Sequence, residues 1–217
     1  MKEGFFSVDG KFYTFMSKVV DLGFISLLWL VGCLPVVTII TSTASAYQTV
    51  VKCVRYEQDT VFASFKEAYL QNLRQGIALT LFFGILGGLI SLADYYVMFV
   101  STGTSVVSLA LAMGMLILTL VYLLNLLWIG PVFSRFANTF GNLLKLNYVV
   151  ALRHVPRSVP MLLLVAAGIV VFLAWNELFI IVPGVVLLCY SLLAEPALRK
   201  FMPEQEEDNG DWRYGFH

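Results

Sequence analysis

The side chains that could do chemistry in this chain of 217 residues are few and far apart in sequence. The spacing of the cysteines, Cys33, Cys53 and Cys189, fits neither a zinc site nor a disulfide framework. The two histidines, His154 and His217, are too few to form a metal cluster by themselves. The sequence also lacks a GxxxxGKS/T phosphate loop, an HExxH motif and a Gly-x-Ser-x-Gly elbow. We therefore predict a non-enzymatic protein with no catalytic residue, cofactor or metal site.

Ionisable groups are also missing from the middle of the long apolar segments. The acidic residues Asp21, Asp94, Glu177 and Glu195 all lie near predicted segment ends. Proton relays and ion-coupled pumps usually need an ionisable group inside the helix bundle, which argues against a proton-coupled transporter. Hydroxyl groups, which can bind sodium or a neutral solute, are instead concentrated over residues 38–45.

The composition is that of a membrane protein. Hydrophobic residues make up 59% of the chain and charged residues 13%, about half of the roughly 25% that soluble domains carry. The stretch Leu22–Val51 contains no Asp, Glu, Lys or Arg, and about twenty apolar residues suffice for a helix to cross the hydrocarbon core. The net charge is zero without a basic stripe, so nucleic acid is not an expected partner. We predict an all-α, polytopic transmembrane helix bundle in contact with the lipid bilayer.

The charge pattern divides the chain into three parts. Residues 1–19 mix charges with aromatic rings, which is typical of an interfacial N-terminal arm. Residues 20–202 form the predicted transmembrane domain, and residues 203–217 form an acidic tail that we expect to be mobile. Amphipathic loops are predicted at 52–74 and 132–157. The five predicted spans lie at about 20–42, 76–94, 106–129, 158–175 and 178–195.

A proline break interrupts the first predicted span. The five residues Trp29, Gly32, Leu34, Pro35 and Thr38 form a candidate structural motif. Proline cannot donate the helical hydrogen bond, and the carbonyl that it frees needs another partner inside a membrane, such as the Thr38 hydroxyl. Two structures are compatible with this pattern: one kinked span, or a re-entrant hairpin that returns to the side on which it began. The kinked span is the preferred prediction.

The two basic loops resemble each other. Shifting Thr60–Arg74 by 79 residues matches five of fifteen positions, and Trp, Gly and Pro precede both loops, although this upstream match needs a gap. The pattern predicts a tandem two-span repeat that a fifth helix completes. The basic and tyrosine residues of both loops form a candidate cytoplasmic docking surface: Lys66, Tyr69, Arg74, Lys145, Tyr148 and Arg153.

The distribution of Lys and Arg predicts the orientation of the bundle. The two amphipathic loops carry four each, and Arg199 and Lys200 follow the last span, whereas the loop 95–105 carries none. The positive-inside rule then places the basic loops and the C-terminus in the cytoplasm. Five spans would place the N-terminus outside, where its lysines fit poorly, whereas a hairpin would place it inside.

The segment Asp21–Ile39, with Ala46, Tyr47, Phe62–Phe65 and Asn72 further on, resembles the YesL family of small bacterial integral membrane proteins. This family is defined as a domain of unknown function. Its members are often encoded near carbohydrate ABC importers. The resemblance therefore implies a multi-pass protein of the bacterial plasma membrane with an accessory role in carbohydrate uptake, and an ABC importer permease or ATPase as partner. The alternative is a small permease or transporter component that acts as a homo-oligomer, such as a dimer, or with an ABC ATPase.

Overall fold

The computed structural model describes residues 11–100, 106–136, 138–174 and 180–201, and the regular elements in these ranges are all helical. A π-helical segment continues α2 over Val50–Arg55, and another continues α3 over Tyr96–Val100. The described α-helices are α1 (Lys11–Cys33), α2 (Ile39–Thr49), α3 (Val61–Tyr95), α4 (Val106–Arg135), α5 (Phe140–Arg153), α6 (Val155–Ala174) and α7 (Val182–Leu198).

Five helical segments are long and apolar enough to cross a membrane, which confirms the predicted fold class. The segments are Thr14–Cys33, Val61–Phe99, Val106–Arg135, Val155–Ala174 and Val182–Phe201. Residues 11–19 of the predicted N-terminal arm belong to α1. The rest of that arm and the acidic tail at 203–217 lie outside the described residues.

α1 and α2 are antiparallel and pack against each other. Near the turn between them, Trp29 Nε1 donates to Thr43 Oγ1 over 3.1 Å, and Ser42 Oγ donates to the Trp29 carbonyl over 2.9 Å. At the other end, Lys18 Nζ lies 2.7 Å from Glu57 Oε1, in the loop that follows α2. Because the early part of α1 lies beside the end of α2, the two helices form a hairpin.

The structure replaces the single kinked helix that was the preferred prediction over 20–42 with two helices and a reversal of the chain, which is the chain path of the hairpin alternative. The cause lies in the turn, where Pro35 adopts an extended conformation with φ −76° and ψ 110°. Thr38 Oγ1 lies 2.8 Å from the Gly32 carbonyl oxygen and 2.7 Å from that of Pro35. These contacts supply a donor to carbonyls that the end of a helix leaves without an intrahelical partner.

The tip of the hairpin is apolar. Leu34 is 79% exposed and Val36 is 71% exposed. A turn that lies in water usually carries polar residues, glycine or proline, because it must solvate its backbone. The apolar side chains at this tip fit hydrocarbon instead, where the turn satisfies its backbone groups internally.

α2 lies at the centre of the bundle and packs against helices on several sides. A Cβ atom on Gly76 of α3 would lie 2.0 Å from Thr41 Oγ1, and one on Gly130 of α4 would lie 3.5 Å from a methyl group of Thr43. Small residues of this kind allow membrane helices to approach closely. The largest fully buried side chains around α2 include Tyr47, Leu79, Trp128, Leu143 and Leu198.

The predicted repeat is visible at the starts of α3 and α5 but not in the proline-containing segments that precede them. α3 and α5 begin at Val61 and Phe140, which are related by the same 79-residue shift, and each follows a threonine in extended conformation. α5 ends at Arg153, whereas α3 runs on without interruption into its apolar part. Upstream, Pro35 lies in the hairpin turn, whereas Pro131 lies inside the continuous helix α4.

Cysteine labelling tests the hairpin. With the native cysteines replaced by serine, we expect Ser17→Cys and Gln58→Cys to react with a membrane-impermeant maleimide from the same side of oriented vesicles. Met98→Cys is expected to react from the opposite side, because α3 crosses the bilayer between residues 58 and 98. Reaction of Ser17→Cys and Gln58→Cys from opposite sides would show that the segment crosses the membrane once.

Candidate functional site

The predicted docking residues lie on α3 and α5. On the first turns of α3, Lys66 and Arg74 are exposed, and the exposed apolar residue Leu70 lies between them on the same helix face. On α5, Lys145 is exposed and Tyr148, one turn later, is 50% exposed. Both helices therefore present basic and apolar side chains together on their outer faces.

The inner face of α5 fixes this helix to the bundle. Leu143, Asn147 and Val150 are completely buried. Asn147 Nδ2 donates to the carbonyl of Asn125 on α4 over 3.0 Å and lies 3.1 Å from its side-chain oxygen. Asn125, which lies in the third predicted span, thus bonds a neighbouring helix, as buried polar residues in membrane bundles commonly do.

Two of the predicted docking residues instead pack within the chain. Tyr69 stacks on Phe65 with 5.8 Å between ring centroids, and it covers Gly32 of α1, where a Cβ would lie 3.3 Å from its ring. The Arg153 guanidinium lies 5.7 Å from the centroid of the Phe201 ring. Arg153 is nevertheless exposed, as are the remaining members of the set: Lys66, Arg74, Lys145 and Tyr148.

The hydroxyl groups of α2 are largely engaged within the hairpin. Ser45 and Thr49 each donate over 2.8 Å to the carbonyl one helical turn earlier, and the hydroxyls nearer the tip make the turn contacts described above. Thr41 Oγ1 is buried and has no hydrogen-bond partner in the described part of the chain, and Gly76 of α3 covers it. The run over residues 38–45 therefore builds the hairpin and does not line an open solute site.

A buried ion pair links three helices. Arg135 Nε of α4 donates to Glu195 Oε1 of α7 over 3.0 Å, and Arg135 Nη2 donates to Glu195 Oε2. Tyr47 OH of α2 donates to the same Oε1 over 2.7 Å. The Arg135 side chain is 0% exposed and that of Glu195 is 1% exposed. Two-point pairing of this kind gives directional, charge-assisted hydrogen bonds that hold the three helices in register.

Sequence analysis missed this pair because it assigned Arg135 to a basic loop and Glu195 to the end of a span. No local pattern connects two residues that are 60 positions apart. One signal was available. Glu195 is the sole charged residue in residues 178–198, and a carboxylate in such an apolar segment needs a cationic partner.

A groove of about 750 Å³ opens between the first half of α1 and the loop after α2. Lys18, Glu57 and Asp59 are among the residues that line this groove. Lys18 lowers the pKa of Glu57 by a hydrogen bond and by its charge. The pKa of Asp59 is lowered by a hydrogen bond from Lys52, 2.8 Å away, and by the backbone N–H of Thr60. Both carboxylates are therefore ionised and paired. Within the described ranges, no group of three His, Cys, Asp or Glu side chains is close enough to hold a metal ion.

These features define a multi-pass helical membrane protein with basic residues near several helix ends. Residues 22–95, which include the turn of the hairpin and the whole of α3, match a family described as "Protein of unknown function, DUF624". The resemblance to the YesL family is compatible with this match. Neither the curated proteins nor the solved structures that were compared with the chain gave a significant match.

Proposed function

We propose that this protein is a non-enzymatic accessory subunit of the bacterial plasma membrane, and that it binds a partner protein through the outer face of α5. The proposed partner is the permease or ATPase of a carbohydrate ABC importer, and this part rests on the YesL resemblance alone. The proposed orientation, with the basic loops and the C-terminus in the cytoplasm, rests on the positive-inside rule.

The observation that carries the proposal is the contrast between the two faces of α5. Its inner face is completely buried, whereas Tyr148, Val149 and Leu152 remain about half exposed on its outer face, close to Lys145. Tyrosine and aliphatic side chains beside a basic residue are typical of a protein interface, with an apolar centre and a polar rim. Because α5 is fixed to α4 through Asn125, this outer face is held ready for a partner.

The alternative, a small permease or transporter component, has weaker support. The hydroxyl run is engaged within the hairpin, and the buried Glu195 accepts hydrogen bonds from both Arg135 and Tyr47. A transport assay on purified protein in liposomes tests this alternative. Movement of a sugar by this protein alone would contradict an accessory role.

Site-specific photocrosslinking in native membranes tests the docking surface. A photoreactive residue at position 148 is expected to crosslink to a permease or an ATPase, which mass spectrometry would identify. The same probe at Tyr69 is expected to give no such product, because this side chain packs on Gly32. Val170, an exposed residue within the α6 span, serves as the matched control for lipid contact. Crosslinks from position 148 to lipid or to a second copy alone would overturn the proposal.

A further inference from the structure

Three basic residues gather around His154, at the junction of α5 and α6. The Arg153 guanidinium lies 5.7 Å from the centroid of the Phe201 ring, and the His154 ring meets the same ring edge-on at 5.8 Å. The Arg157 backbone N–H donates to the His154 carbonyl over 2.9 Å, and Lys200 directly precedes Phe201, whose ring contacts that of His154. We call Arg153, Arg157 and Lys200 the junction cations.

The junction cations have no acidic partner in the described part of the chain. The ion pairs there involve other residues, Lys18 with Glu57, Lys52 with Asp59 and Arg135 with Glu195. Burial and, to a lesser extent, the three positive charges lower the pKa of His154, so the histidine adds no positive charge near neutral pH. Among the described residues, the side chains around His154 therefore carry three positive charges and no paired negative charge.

One donor in this cluster is buried and unsatisfied. Arg157 Nη1 is shielded from solvent and has no hydrogen-bond partner among the described residues. A buried charged donor without an acceptor costs more than an ordinary lost hydrogen bond, and native proteins rarely leave one open. An acceptor oxygen from outside the chain would remove this cost.

The position of the cluster indicates the source of that oxygen. Arg157 is in the first turn of the α6 span, Val155–Ala174, and Lys200 is near the end of the α7 span, Val182–Phe201. The ends of spans lie at the border of the hydrocarbon core, where lipid phosphates are found. The neighbouring side chains of Val155 and Val159 on α6 are apolar and exposed, as expected for contact with acyl chains.

We infer that the junction cations bind the headgroup phosphate of an anionic phospholipid in the leaflet at the basic end of the bundle. Guanidinium groups pair with phosphate oxygens through two parallel hydrogen bonds, and an ammonium group adds a point charge. Basic pockets between membrane helices are suited to such headgroups. Arg153 belongs to α5, whereas Arg157 and Lys200 lie outside it, so substitutions of these two residues test the inference separately from the proposed docking role of α5.

Native mass spectrometry of the full-length protein, titrated with phosphatidylglycerol or phosphatidylcholine of identical acyl chains, tests the inference. We expect tighter binding of phosphatidylglycerol to the wild-type chain. Each neutralised cation is expected to weaken that binding about fivefold, the factor that corresponds to one basic residue near an anionic membrane surface. Arg157→Gln/Lys200→Gln should therefore lose roughly 25-fold in affinity, while phosphatidylcholine binding changes little.

Lys66→Gln is the matched control, because Lys66 is an exposed basic residue on α3, outside the cluster. An equal loss in this variant would show diffuse surface attraction and overturn the site. Inorganic phosphate is titrated in parallel, and displacement of the lipid at millimolar phosphate would reassign the site to a free anion. If the double variant does not fold, the exposed single variant Lys200→Gln decides the question, and an unchanged affinity in it would also overturn the inference.

Discussion

Glu195→Gln is expected to lower the free energy of unfolding by about 3–5 kcal/mol, the range seen when one partner of a buried ion pair is removed. The substitution keeps the shape of the side chain but removes the negative charge that pairs with Arg135 in a site where the Arg135 side chain is 0% exposed. It also weakens the acceptor of the Tyr47 hydroxyl. Thermal or detergent-induced unfolding, followed by circular dichroism of the purified protein, measures the loss.

Two further variants separate charge from packing. Glu67→Gln removes an exposed carboxylate on α3 that contacts Gln71, and it is expected to change stability little. Arg135→Met/Glu195→Leu replaces the pair with apolar side chains and is expected to recover most of the loss, because no isolated charge remains buried. If Glu195→Gln and Glu67→Gln have the same free energy of unfolding, the ion pair does not stabilise the bundle.

Gly184→Ala is the substitution with the second largest expected effect. A Cβ at this position would lie 2.4 Å from the Leu22 carbonyl oxygen and 3.0 Å from its carbon, so α1 and α7 must separate. The separation would stretch the 2.8 Å hydrogen bond between the Gly184 N–H and Ser26 Oγ. Overpacking of this kind typically costs about 1–3 kcal/mol, and the same unfolding measurement detects it.

Gly114→Ala is the matched control for this prediction. A Cβ on Gly114 of α4 would meet no atom within 4 Å, so alanine fits there without displacement. Alanine also favours helix over glycine by up to about 1 kcal/mol. We expect this variant to be as stable as the wild type or slightly more stable. Equal stability of the two alanine variants would show that α1 and α7 are not in the close contact described here.

The fold class was predictable because long apolar segments without charges have few other structures available to them. The start of α5 was also predictable, since the repeat placed Thr139 opposite Thr60, and both precede a helix in the structure. The helix bounds were less predictable. The first turns of α3 are amphipathic and the rest is apolar, yet no residue in between stops the helix.

The hairpin and the ion pair were not predictable from local sequence, because each depends on contacts between distant segments. Pro35 permits either a kink or a reversal, and the pairing of Trp29 with Ser42 and Thr43 decides between them. The N-terminal lysines did carry a relevant signal, since the positive-inside rule favours their presence beside the basic loops. The Lys18–Glu57 contact agrees with that signal.

The hairpin also determines how the cross-section of the bundle changes along its length. The backbone N–H of Ile40 donates to Thr80 Oγ1 over 3.3 Å at the start of α2, and α3 continues from there to Tyr95, a further distance of about 22 Å. Along this extension α3 packs against α4, with Tyr122 OH donating to the carbonyl of Phe83. The cross-section of the bundle is therefore larger alongside the hairpin than beyond its tip, where α3 continues against α4. We expect a bundle of this shape to displace more lipid around the hairpin than around the extension of α3.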